Sequence, residues 1–122
     1  MEIKNARIEK TQLGYEGRGV FTFLFVLRLD KASVAFGSYP FDFYDKEKKV
    51  RICNDKAGEG IKKLLDVVGV KHWEELDGQC IRFEDPGIGQ RITKIGNIVE
   101  DKWFDASEFF GAPPAREQVE EV

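Results

Sequence analysis

The segment RICNDKAGEG, residues 51–60, is where residue types and spacing in this sequence point most directly to chemistry. It runs into Ile61, Leu64, Leu65 and Val68, spaced i, i+3, i+4 and i+7 as on one face of a helix. A helix N-terminus presents free N–H groups and the positive end of the peptide dipoles, which together hold anions. Gly58 and Gly60 let a ligand approach the backbone closely, with Arg51 and Lys56 beside them as cations. Arg18, in the turn Gly17-Arg18-Gly19, offers another cation on a flexible tip. The stretch Tyr39-Pro40-Phe41-Asp42-Phe43-Tyr44 adds rings on which a base can stack. Arg28 ends an otherwise apolar strand face, where a phosphate could meet it.

Arg18, Arg28, Tyr39, Phe41, Arg51, Lys56, Gly58 and Gly60 are therefore the candidate ligand-binding residues, for a small nucleotide-like anion. Each has a structural alternative. Asn54 or Asp55 can cap the helix with its own side chain. The aromatics can be core or an oligomer contact, and Arg28 can pair with Asp30. The pattern is neither a phosphate-binding Walker loop nor a GxGxxG fingerprint after a strand.

Catalytic sets are missing. His72 is the single histidine, and no Ser/His/Asp or Cys/His arrangement can be assembled around it. Glu74-Glu75 and Glu120-Glu121 are sequence neighbours, which point in different directions on a helix and form no acid/base dyad. Cys53 and Cys80 lack metal-ligand spacing. The opening MEIKNARIEK shows no apolar signal region, so the two thiols are read as free and reduced. No catalytic residue, metal site or cofactor is expected.

Composition bounds the rest. With 122 residues, 42% hydrophobic and 34% charged, the chain is too apolar for disorder and long enough for one core. No apolar run approaches the length of a membrane span. A net charge of −3 leaves no global basic field for duplex nucleic acid, and it disfavours single strands as well. Residues 101–122 carry 2 basic and 6 acidic side chains, so the acidity is mostly C-terminal. Phenylalanine is in excess, with 10 residues.

The elements that must position these residues follow from periodicity. Residues 2–13 read as a strand whose imperfect alternation suits a sheet edge. Residues 19–30 are the strongest strand. Phe21, Phe23, Phe25, Leu27 and Leu29 line one face, and Val20, Thr22, Leu24 and Val26 the other. Both faces are apolar, which predicts cover on both sides. A hairpin turn at 31–33 leads to a third strand over 34–39. Residues 40–55 read as irregular, with a short strand near 50–53. The helix is predicted over 57–68, ended by Gly69. One helical turn at 72–76 and strands at 79–84 and 91–99 follow, with Gly96 as a bulge or close approach. Residues 101–110 are aromatic and ambiguous between helix and extended chain.

The expected class is α+β: an antiparallel sheet of five to six strands with one main helix, 57–68, packed on one face. Residues 1–110 form the domain, and 111–122 a flexible acidic tail. The second face of strand 19–30 needs cover. Candidates are Trp103, Phe104, Phe109 and Phe110, a second copy of the chain, or curling into a small barrel. Homo-oligomerisation is accordingly expected.

The stretches IKNARIEKTQLGYEGRGVFTF, FGSYPFD, GEGIKKLLDVVGVKHWEELDGQCIRF and above all IGNIVEDKWFD resemble a family of small phage- and prophage-encoded proteins. The likeness covers about residues 2–105, and its most specific part is IGNI-x-x-DKWF. Gly37-Ser38-Tyr39 departs from the glycine-richer FGGY-like form. The resemblance supplies no catalytic residue. It implies an accessory protein acting in bacterial host cytoplasm, of the kind that counters host defence. The leading expectation is a non-catalytic protein that sequesters a nucleotide-derived immune signal. The alternatives are a protein inhibitor of a bacterial defence complex, such as a CRISPR effector, and a signal-degrading enzyme.

Overall fold

Period-two stretches with one apolar face pair with one another, and here they do so entirely antiparallel. The computed structural model describes residues 1–111. The strands are β1 (Glu2–Tyr15), β2 (Phe21–Arg28), β3 (Ser33–Gly37), β4 (Asp42–Asp45), β5 (Val50–Cys53), β6 (Cys80–Asp85), β7 (Lys94–Asn97) and β8 (Trp103–Asp105). The helices are α1 (Ala57–Val68) and α2 (Ala106–Phe110), with a 3₁₀ turn at Trp73–Glu75. Six strands form one sheet in the order β3-β2-β1-β6-β7-β8, and β4 and β5 form a separate hairpin. This is the α+β class expected. The sheet is open rather than closed into a barrel. The acidic tail expected over 111–122 lies, beyond Gly111, outside the described residues.

One face of the sheet carries the core. Ile8, Phe23, Phe25, Leu27, Phe36, Ile81, Phe83 and Ile95 are buried on it, against Leu64, Val67 and Val68 of α1. The phenylalanine excess has its explanation here. Phe23 packs edge-on to Phe25 and Phe36 and stacks on Tyr39 and Phe41. Helix α1 has the bounds its periodicity predicts. Gly69 ends it at φ 95°, giving its N–H to the Leu65 carbonyl.

Three expectations are corrected. Strand β1 is interior, not an edge, lying between β2 and β6. Its alternation looked imperfect because a bulge between Ile8 and Lys10 shifts the pairing by one residue. Ile8 faces Leu27 before the bulge, and Thr11 and Leu13 face Phe25 and Phe23 after it, so the core face is kept. The short strand expected near 50–53 is β5, but the rest of 40–55 is not all irregular, because β4 pairs with it in a hairpin over 42–53. Strand β4 has only four residues, too few to display a period.

The third correction concerns β2, whose second face is covered only in part. Val20 and Thr22 are buried, Leu24 and Val26 are half-buried, and Arg28 is exposed. The neighbours explain the difference. Leu24 stands opposite Gln12, and Val26 opposite Lys10, so polar residues flank this short apolar pair. Phe104, Phe109 and Phe110 pack on the other side, where Phe110 contacts Phe23, Tyr39 and Phe41, and Trp103 lies on the second face but over Gly96 of β7.

Asn97 joins the layers. Its buried amide donates to the Val67 and Val68 carbonyls at the end of α1, at 3.0 and 3.2 Å. Its Oδ1 accepts from the N–H groups of Val99 and Glu100, both at 2.9 Å. That turn brings β8 back beside β7, where Trp103 covers Gly96 so closely that a Cβ would lie 2.5 Å from the ring. Gly96 is thus the close approach its position suggested. Asn97→Asp removes both donations and sets a negative charge at a helix C-terminus. It should lower stability by about 2 kcal/mol in urea denaturation, with little change in shape.

Candidate functional site

Burial and local pairing separate the eight predicted ligand residues. Tyr39 and Phe41 are 1% and 0% exposed, inside the aromatic core, and have no ring face for a base. Their spacing on a polar-flanked segment suggested a loop. In fact Thr22 Oγ1 holds the Tyr39 carbonyl at 2.6 Å, and Phe41 N–H donates to the Phe21 carbonyl at 2.7 Å. Gly60 is buried as well: a Cβ there would lie 2.7 Å from the Phe110 ring. Its smallness serves packing rather than ligand approach. Gly58 is exposed, with open space around it.

The cations near α1 are committed to the fold. Arg51 Nη2 lies 2.8 Å from the buried Asp42 carboxylate. The same carboxylate oxygen accepts the Phe21 N–H at 3.1 Å, so the pair clamps the β4–β5 hairpin to β2. Lys56 Nζ donates to the Phe109 carbonyl at 2.7 Å and sits over the Phe109 ring. Neither Asn54 nor Asp55 caps α1. Lys56 holds the N-cap position without a side-chain cap, and Asn54 Oδ1 accepts the Lys56 N–H at 3.0 Å. Arg18 is exposed and pairs with Glu16 of its own turn at 3.4 Å.

Arg28 is different. It lies on the face of the sheet away from α1, and it is not paired with Asp30. Its Nη1 meets only Ser33 Oγ, at 3.5 Å. Directly opposite on β1 stands Arg7, also exposed. Among the described residues neither arginine has a carboxylate within ion-pair distance. Lys10 follows on the same face of β1, beyond the bulge.

On the same face Arg82 of β6 pairs across to Gly96, whose other neighbour is Trp103. The Arg82 guanidinium lies 4.8 Å from the Trp103 ring centroid, and its Nε and Nη2 donate to the Asn97 and Glu100 carbonyls at 2.6 and 2.8 Å. Carboxylates also stand on or beside this face. Glu84 pairs with Lys94, Asp105 caps α2, Asp101 accepts the Trp103 indole N–H at 3.1 Å, and Glu9 accepts from Ser33 Oγ, the hydroxyl that Arg28 also meets. Sequence reading found Arg28 but missed Arg7, Lys10, Arg82 and Trp103. Their shared face depends on strand pairing across sequence separations of about 20 to 75 residues, which no local spacing signals.

Among the described residues no group of three or more His, Cys, Asp or Glu side chains is placed to hold a metal ion. Cys53 and Cys80 are free and exposed. His72 is exposed and closes a capping box with Glu75 at the 3₁₀ turn. No helix among the described residues is long and apolar enough to cross a membrane.

Two predictions follow from these placements. The Tyr39 hydroxyl is buried without a hydrogen-bond partner. Tyr39→Phe should therefore raise stability, by about 1 kcal/mol, in a urea titration. In the Arg18 turn, burial pushes the Glu16 carboxyl up, but the Val20 and Arg18 N–H groups and the Arg18 guanidinium together hold it below its ordinary value of 4.5. A lowered carboxyl pKa stabilises the fold above pH 4.5, and that stability is lost as pH falls through the folded value. Glu16→Gln should lower Tm at neutral pH, with the difference shrinking as melts are taken to increasingly acid pH. Comparison with protein-family models, curated proteins and solved structures returns no match.

Proposed function

We propose that this chain is a non-catalytic binding protein for a nucleotide-derived anion, held on the open face of its sheet. In the phage or prophage setting that the resemblance implies, it withholds such a signal from the defences of a bacterial host, in the host cytoplasm. The observation that carries the reading is the Arg7–Arg28 pair. Like charges directly opposite on neighbouring strands destabilise a sheet. Here the pair is exposed and, among the described residues, has no carboxylate within ion-pair distance; Glu9 reaches Arg28 only through the Ser33 hydroxyl. A phosphate accepts from two guanidinium groups at once and converts the repulsion into two charge-assisted hydrogen bonds. The absence of an assembled catalytic set among the candidate residues favours holding over turnover.

The experiment is a melting series with ADP-ribose, cyclic ADP-ribose isomers and cyclic di- and trinucleotides. At about a hundredfold excess over Kd, a bound ligand adds about 2.7 kcal/mol of stability, a rise of several degrees. Arg7→Glu should abolish that rise. It should also make the unliganded protein more stable by about 0.2–1 kcal/mol, because it turns a repulsive cross-strand pair into an attractive one. Ligand recovered intact after prolonged incubation accords with binding alone. No shift with any member of the panel defeats the reading.

A further inference from the structure

We propose that the ligand class this face takes is a single-stranded nucleic acid, laid across the strands from β2 toward β8. The inference rests on the reading above that Arg7 and Arg28 hold phosphate, and puts a polymer of nucleotides in place of a compact signal. The argument begins with shape. Small ligands are held in concave sites that enclose most of their surface. Arg7, Lys10, Arg28 and Arg82 line none of five hollows of about 240 to 610 Å³ on the described surface, two of which border Trp103. The cations stand on an open sheet, which suits an extended chain of phosphates better than a compact molecule.

Charge points the same way. The net −3 of the whole chain disguises a local excess. Arg28, Arg7 and Lys10 form an exposed cationic group at one end of the face. Glu9 stands beside this group and accepts at 3.3 Å from Ser33 Oγ, the hydroxyl that Arg28 also meets. Toward the other end, half-buried Trp103 rests on Gly96, with the Arg82 guanidinium 4.8 Å and the Lys94 ammonium 5.6 Å from its ring centroid and its indole N–H on Asp101. The Arg82 guanidinium, held by the Asn97 and Glu100 carbonyls, is the flat surface offered beside the ring. Four strand spacings separate β2 from β8, about 19 Å. A phosphate track at one end and a ring with a flat guanidinium at the other are the two parts single strands need: neutralised phosphates and a base platform. A duplex keeps its bases stacked inside and has no use for the second part.

The test is fluorescence anisotropy of 5′-labelled dT12 with the intact protein over a salt series. Three phosphate contacts, from Arg7, Lys10 and Arg28, give a slope of log K against log salt of about −2, or about a 15-fold loss of affinity between 50 and 200 mM. Arg28→Gln, an exposed change, should reduce the slope by about 0.7. Base stacking should quench Trp103 emission, read in a Trp73→Phe background so that Trp103 itself stays in place. Binding with this slope and quenching supports the proposal. Failure of dT12 to bind at 50 mM salt overturns it. If the cyclic nucleotides still raise Tm in that case, the anion-binding function stands and only this ligand class falls. If neither binds, both fall. Equal binding of inorganic polyphosphate with no quenching, or equal binding of a 12-base-pair duplex, also overturns it.

Discussion

A single side-chain amide connects most of what this fold does. Asn97 is buried at the end of β7, where an unsatisfied amide would be expensive. It has four partners and spends them in two directions: two helix-end carbonyls on one side, two turn N–H groups on the other. The first pair fixes where α1 stops relative to the sheet. The second sets the turn that delivers Trp103 onto Gly96 and Phe104 into the core. Arg82 then finds its carbonyl acceptors at Asn97 and Glu100, on the ends of the same turn. The IGNIVEDKWF stretch is accordingly a structural staple, and its residue types are accounted for by packing and hydrogen bonding.

The two faces of the sheet obey different physics. The core face is an aromatic layer in which rings meet edge-on or stacked, with glycine wherever a ring needs room. Phe110 illustrates this: it fills the space beside Gly60 and touches Phe23 of β2 and both Tyr39 and Phe41 of the segment before β4. The open face carries Ile3, Leu24, Val26 and Trp103 as its large apolar side chains. Its cations are held in different ways: Lys94 pairs with Glu84, Arg82 donates to the Asn97 and Glu100 carbonyls, and Arg28 meets the Ser33 hydroxyl. The burial energy that holds the domain together and the charges available to a ligand are thus on opposite sides of one layer.

How much of this was legible depends on whether the signal was local. Helix α1 was, because Ile61, Leu64, Leu65, Val68 and Gly69 lie within one window. The helix buries Gly60 and Val67 as well, a stripe turned slightly from the one its leucines suggest. The 101–110 ambiguity reflects a true junction. Asp105 ends β8 and caps α2 with the same side chain, so both readings held part of the segment. Tyr39 and Phe41 misled because aromatic residues beside lysines look alike whether they face water or a core. Arg7 was invisible because its meaning lies in its cross-strand partner, Arg28, 21 positions away.

The bulge at Glu9 carries a consequence for how this protein can change. Along β1 it reconciles two half-strands whose alternations are out of phase. Removing Glu9 alone would leave Ile8 against Leu27 and Lys10 against Val26 in one regular ladder, with every other side chain still on its own face. The bulge is therefore the point of β1 that tolerates the loss of a residue. A residue lost or gained elsewhere in the strand, with the bulge kept, would instead turn the side chains beyond it to the opposite face and spoil the core and the cationic surface together.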